Sequence, residues 1–137
     1  MKAKAYLQEI RKLDRKIENK QMELESLYDL IQSVTIPIKE INVQANSDKD
    51  KLGSTIARIM DLQNEINLQI DKYVDRKLEA IRLINELEDD LYINILIRRY
   101  VKYEEWQVIA GELHYSRQAI DKKHGQALIE FQKILES

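Results

Sequence analysis

The chain of 137 residues contains no cysteine, one proline and three glycines. The absence of cysteine excludes a disulfide scaffold, a thiol nucleophile and a thiolate metal site. β-Sandwiches, barrels and glycine-loop nucleotide folds need many more turn-forming residues than this sequence has. Hydrophobic residues make up 44% of the chain and charged residues 34%, a balance that is typical of a folded protein. The composition therefore predicts an all-α fold.

The sequence also lacks a long apolar run. No stretch approaches the ~20 apolar residues that a membrane-spanning helix needs. The N-terminal sequence MKAKAYLQEIRK becomes charged before the apolar core of a signal peptide could form. We therefore expect a cytoplasmic protein that does not associate with a membrane.

Two segments carry heptad repeats, in which core positions lie alternately three and four residues apart. The first repeat has one charged core member, Lys20, among Ala3, Tyr6, Ile10, Leu13, Ile17, Leu24, Leu27, Ile31 and Val34. The second repeat comprises Leu52, Ile56, Ile59, Gln63, Ile66, Ile70, Tyr73, Lys77, Ala80, Ile84 and Leu87. Pro37 interrupts the helical pattern because it lacks an N–H group. We expect a loop at residues 35–51, with a short extended piece at Ile36–Val43.

The two repeats can pair with each other. In an antiparallel alignment, Lys20 lies opposite Gln63 and Leu24 lies opposite Ile59, so that polar core residues meet each other. A shift of one heptad would bury the charge of Lys20 against isoleucine, which is unfavourable. Residues 1–88 are therefore predicted to form an antiparallel coiled-coil hairpin. Surplus apolar residues on the second helix would pack on the C-terminal helices or on a second chain: Leu62, Val74 and Ile81.

Residues that could support catalysis or bind a metal do not form a known pattern. His114 and His124 are ten residues apart, which is not the spacing of two ligands on one helix. Neither a phosphate-binding glycine motif nor the Glu-x-x-His pattern of a di-metal bundle occurs. We expect no enzymatic activity, no metal and no cofactor.

Residues 89–137 are predicted to form a helix-turn-helix domain. Ile109 and the small Ala110 occupy the positions where two crossing helices approach each other closely. Ser116 is placed to cap the second helix, and Ile120 to anchor it, with Leu113 as the last core residue of the first helix. Tyr115 is expected to fill the turn, in which His114 stands at the position where glycine is usual.

The same segment resembles region 4 of sigma-70-type factors. The resemblance rests on four short sequences, which are LIRRYV at residues 96–101, EWQVIA at 105–110, YSR at 115–117 and AL at 127–128. With the coiled coil before it, the chain is similar to late-transcription regulators of Gram-positive prophages of the ArpU and RinA kind. This resemblance implies sequence-specific DNA binding and transcription control of phage late genes.

The charges of the C-terminal segment are balanced overall, with seven basic and seven acidic residues from Asp90 onward. The second helix of the predicted helix-turn-helix would be the recognition helix. It is locally basic, and its outward positions carry side chains of the types that contact base edges. The candidates for base contact are Gln118, Asp121 and Lys122. The candidates for phosphate contact are Arg98, Arg99, Lys102, Arg117 and Lys123.

The expected partners are double-stranded DNA, a second copy of the chain in a homodimer, and RNA polymerase. The near-zero charge also favours an alternative from a different class. In that alternative the coiled coil is a protein-interaction module that binds RNA polymerase or another phage protein without contacting DNA.

Overall fold

The computed structural model describes the chain at residues 2–40 and 45–137, and the side chains at 2–33 and 49–137. It contains five α-helices and no strand within these residues. They are α1 (Lys2–Glu40), α2 (Ala45–Ile84), α3 (Asp90–Leu96), α4 (Trp106–Leu113) and α5 (Arg117–Glu136). A π-helical segment, Ile97–Val101, directly continues α3. The predicted all-α class and the long helical hairpin, formed by α1 and α2, are confirmed.

The connection between the long helices is shorter than the predicted loop at 35–51. Helix α1 extends through Pro37 to Glu40, and α2 already begins at Ala45. A proline removes one backbone hydrogen bond from a helix without forcing it to end. The prediction of an extended piece is therefore wrong for residues 36–40, and its remainder, up to residue 43, lies at 41–44, outside the described residues.

The chain divides into two compact units. The first, the composite unit, combines residues 1–14 with residues 72–137, and the second, the two-helix unit, comprises residues 15–71. The predicted domain boundary between residues 88 and 89 lies within the composite unit and stays a prediction. A heptad pattern continues through a helix without marking where its neighbours change, so the sequence contains no signal for the division into these two units.

The core of the composite unit draws on both ends of the chain. Ala3, Leu7 and Ile10 of α1 are buried in the same cluster as Ala80, Ile84, Leu87, Leu96, Tyr100, Ala127, Leu128 and Phe131. The backbone N–H of Ala3 donates a hydrogen bond of 2.8 Å to Oε1 of Gln132 in α5. Burial of this apolar area is the main stabilising contribution of the unit.

In the two-helix unit, Leu62 occupies the buried position that the heptad pattern assigns to Gln63. Leu62 is completely buried, together with Ile17, Ile59 and Ile66, while Gln63 is exposed and donates a hydrogen bond of 2.7 Å to the hydroxyl of Tyr28. The predicted role of Leu62 as a surplus residue is therefore wrong. An aliphatic side chain takes the core position because burying an amide without a partner is costly.

Lys20 pairs with a residue other than the predicted Gln63. Its Nζ lies 3.0 Å from Oε2 of Glu65, and Arg58 lies 2.9 Å from Glu23 on the same pair of helices. A lysine can lay its aliphatic stem along an apolar stripe while its charged amino group reaches the solvent-exposed edge of the helix pair. A contact between Leu24 and Ile59 stays a prediction, which cysteines at these two positions would test by crosslinking within one chain.

Candidate nucleic-acid interface

The segment from α4 to α5 is built around a small second core. Ile95, Ile109, Ala110 and Ile120 are buried in it, with Leu91, Trp106 and Leu113 packed against them. These include the residues that the sequence assigns to the crossing of the two helices. Because α5 meets α4 on this apolar side, its opposite side carries the polar residues.

The turn between α4 and α5 has the expected cap at its end. The Oγ of Ser116 accepts a hydrogen bond of 3.1 Å from the backbone N–H of Ala119, as the sequence predicts. His114 ends α4 in the left-handed conformation, with φ of 62°. The backbone N–H of Tyr115 closes the turn by donating to the carbonyl of Ala110, at 2.9 Å.

Tyr115 does not fill this turn. Its side chain is 41% exposed, and the small core is closed by Trp106 and Leu91. The left-handed residue before Tyr115 reverses the chain direction, so that the ring lies at the surface. The prediction that Tyr115 fills the turn is therefore wrong.

Trp106 lies at the meeting point of three segments. The guanidinium carbon of Arg99, from the π-helical segment, lies 4.9 Å from the indole centroid, and that of Arg117 lies 5.2 Å from it. The ring of His124 in α5 meets the indole edge-on, with centroids 4.4 Å apart. Two of the predicted phosphate-contact residues are thus brought together by an aromatic ring.

His124 is half-buried, although its position in the sequence predicts a helix-surface residue. Its Nε2 lies 2.7 Å from the hydroxyl of Tyr100. Burial, the largest cause, and the positive charges of Lys4, Arg99 and Arg117 together lower the pKa of His124 to about 4, against an opposing effect of Asp121. The imidazole is therefore neutral at pH 7.

Three of the predicted contact residues are engaged in ion pairs. Arg98 lies 3.3 Å from Glu104, and both side chains are about three-quarters buried. Arg117 pairs with Asp121 one turn further along α5, at 3.0 Å, on the exposed side of the helix. The structure thus places Asp121, a candidate for base contact, beside a candidate for phosphate contact.

The remaining predicted contact residues differ in exposure. Gln118 and Lys122 lie one turn apart on the exposed side of α5, and Lys102 is exposed after the π-helical segment. Lys123 is half-buried. Sequence reasoning missed the part played by Trp106 and His124. The only signal was that Trp106 is the sole tryptophan of the chain.

No group of three or more potential metal ligands forms within the described residues. Among the helices described here, none has the length and apolar character needed to cross a membrane. Comparisons of the chain with protein-family models, with curated proteins and with solved structures found no match.

Proposed function

We propose that this chain is a sequence-specific DNA-binding regulator of transcription that lays α5 into the major groove. The observation that carries the proposal is the arrangement of α4 and α5. Ser116 caps α5, a small apolar core fixes its packing on α4, and polar side chains remain on its outer side. These features support the proposal, because a helix-turn-helix presents to DNA a second helix that packs on its first helix. Binding of this kind needs no catalytic group and no cofactor.

The exposed side chains of α5 suit base recognition. Gln118 can form paired hydrogen bonds with adenine, and Lys122 can donate to guanine. Asp121 can accept from cytosine only if its ion pair with Arg117 opens or is shared. The proposed phosphate contacts are Arg99, Lys102, Arg117 and Lys123, whereas Arg98 is held by Glu104.

The biological setting of the proposal comes from the sequence resemblance to sigma region 4 and to prophage regulators. It suggests phage late genes as targets and RNA polymerase as a further partner. A homodimer is proposed because helix-turn-helix proteins commonly bind paired half-sites. Light scattering at micromolar concentration tests the dimer, and a monomer at every concentration would contradict it.

Selection from random duplex DNA, followed by binding measurements over a range of salt concentrations, tests the proposed function. We expect one sequence to be enriched and its affinity to fall as salt rises. Lys122→Gln should change the preferred base, at about 1–3 kcal/mol for one lost contact. Lys133→Gln is the matched control, because Lys133 is an exposed lysine near the other end of α5. Failure to enrich any sequence, together with no salt-sensitive affinity, would contradict DNA binding.

A second candidate function is that of a protein-interaction module. It is favoured by large apolar side chains that the two-helix unit exposes, which are Met22, Tyr28, Leu30, Ile56, Met60, Leu68 and Ile70. Such side chains often mark a protein-binding surface when they are contiguous. In this function the helix pair would bind RNA polymerase or another phage protein without contacting DNA. Replacing the exposed Met60 with lysine should then weaken the binding of that protein.

A further inference from the structure

Arg99 and Arg117 are eighteen positions apart in the sequence but share one neighbour. Arg99 belongs to the π-helical segment, Trp106 is the first residue of α4, and Arg117 is the first residue of α5. Both guanidinium carbons lie about 5 Å from the same indole centroid, at 4.9 and 5.2 Å. The position of each arginine therefore depends on where the indole is held.

The surroundings of the two arginines restrict their movement. Nη1 of Arg99 donates to the carbonyl oxygen of Glu104 at 3.0 Å, and Nη1 of Arg117 pairs with Asp121 at 3.0 Å. A guanidinium has five N–H donors, so each arginine keeps further donors after these contacts. Side chains that are already ordered lose less conformational entropy when they bind a ligand.

Positive charge accumulates around His124, whose ring meets the indole edge-on. Lys4 adds to the two arginines, and all three cations depress the pKa of the neighbouring His124, which Asp121 opposes. The indole can attract cations through its π-face but cannot neutralise them. A phosphate that lies between the two guanidinium groups would attract both of them. Arginine is also the side chain whose fork geometry best matches a phosphate.

We infer that Arg99 and Arg117 together bind a single backbone phosphate of duplex DNA, and that Trp106 is the positioning residue that holds them as a pair. The inference rests on the proposed DNA binding and adds two features to it. The arginines act as one site instead of two, and a residue that contacts no DNA sets their geometry. Trp106 is half-buried in the small core and so is itself fixed by the fold.

The test compares salt dependence among variants of the full-length protein, with a duplex obtained by selection as the probe. Neutralising one phosphate contact lowers the slope of log affinity against log salt by about 0.9. We expect Arg99→Gln and Arg117→Gln each to lower the slope by up to this amount. The double variant should lose no more than about 0.9 in total, because both arginines bind the same phosphate.

Variants of Trp106 test the positioning role. Trp106→Leu should lower the slope as much as the double arginine variant does, because it removes the aromatic ring that holds both arginines. Trp106→Phe should retain most of the wild-type slope because it keeps an aromatic face. Lys133→Gln, which removes a positive charge near the other end of α5, should leave the slope unchanged. Circular dichroism shows whether each variant is folded. If Trp106→Leu is unfolded, the slopes of the arginine variants and of Trp106→Phe test the inference instead.

The outcomes separate this inference from the proposed function. If the wild-type protein has no salt-sensitive affinity for duplex DNA, both are overturned. If the wild-type protein binds but the double arginine variant loses about 1.8 in slope, which is about 0.9 for each of two phosphates, the arginines contact separate phosphates and this inference alone is wrong. If a folded Trp106→Leu variant keeps the wild-type slope, Trp106 has no positioning role.

Discussion

The two units of this chain bury their apolar residues to different extents. Of the buried hydrophobic residues described, sixteen lie in the composite unit and four lie in the two-helix unit. The reason is geometric, because two helices can cover only one stripe of each other, whereas several short helical segments surround a common core. The two-helix unit also exposes aliphatic side chains such as Met22, Met60 and Leu68, each at least 60% exposed. The proposed DNA-binding residues therefore lie in the unit that has the larger buried core.

The largest effect is expected in the core of the composite unit. Phe131 is completely buried in α5, and Phe131→Ala should lower the free energy of unfolding by about 3–5 kcal/mol through lost burial and a residual cavity. Urea denaturation followed by circular dichroism measures it. Ile129→Ala, at a half-exposed position of the same helix, is the control and should change stability by about 0.5 kcal/mol or less. A loss below about 1 kcal/mol for Phe131→Ala would show that this core is not the stabilising one.

A smaller effect is expected from the buried stripe of the two-helix unit. Leu62→Ala should cost about 2–3 kcal/mol, the lower part of the range for buried leucine, because a two-helix stripe next to solvent can close around the gap. Gln63→Ala should cost less than about 0.5 kcal/mol, since Gln63 is exposed. Denaturation curves of the two variants measure both losses. If Gln63 were the buried residue, as the heptad pattern predicts, Gln63→Ala would cost more than Leu62→Ala.

Acid should weaken the composite unit through His124. Its pKa is about 4 in the folded chain and near 6.5 in an unfolded chain, so the unfolded state binds more protons between these values. The stabilising contribution is complete above pH 6.5 and is lost as the pH falls towards 4. Because the ring is partly accessible to solvent, we expect a loss of about 1–2 kcal/mol.

The comparison of wild-type protein with His124→Gln isolates this effect from the titration of carboxylates. The free energy of unfolding of the wild-type protein should fall more steeply from pH 7 to pH 4.5 than that of the variant. Parallel curves would contradict a neutral, buried His124.

The smallest effects are expected at two backbone positions near the proposed interface. A Cβ added at Gly125 meets no atom within 4 Å, so Gly125→Ala should stabilise the protein by about 1 kcal/mol through helix propensity. His114→Gly should stabilise it by about 0.5–1 kcal/mol, because glycine adopts the left-handed conformation without steric cost. Thermal melts measure both changes, and a destabilised His114→Gly variant would argue that the histidine side chain itself is needed in the turn.

Local rules were sufficient to predict several features of the fold. The scarcity of glycine and proline indicates helices, and the cap at Ser116 depends on residues three positions apart. Asp89, the first residue of the predicted C-terminal domain, likewise caps α3 by accepting from the backbone N–H of Leu91. The burial of Ile109, Ala110 and Ile120 follows from their spacing on two short helices. Each of these features is determined by neighbours within one or two helical turns.

Other features were decided by the tertiary structure alone. Gln63 and Leu62 are adjacent, and both satisfy a three-four spacing, so only packing between helices places Leu62 inside. Leu7 lies outside the heptad pattern yet is completely buried, because the start of α1 packs with α5 in the composite unit. The approach of Arg99 and Arg117 to Trp106 joins segments that no local periodicity connects. Helix formation depends on interactions along the chain, whereas the core and the proposed phosphate site depend on distant residues that meet only when the chain folds.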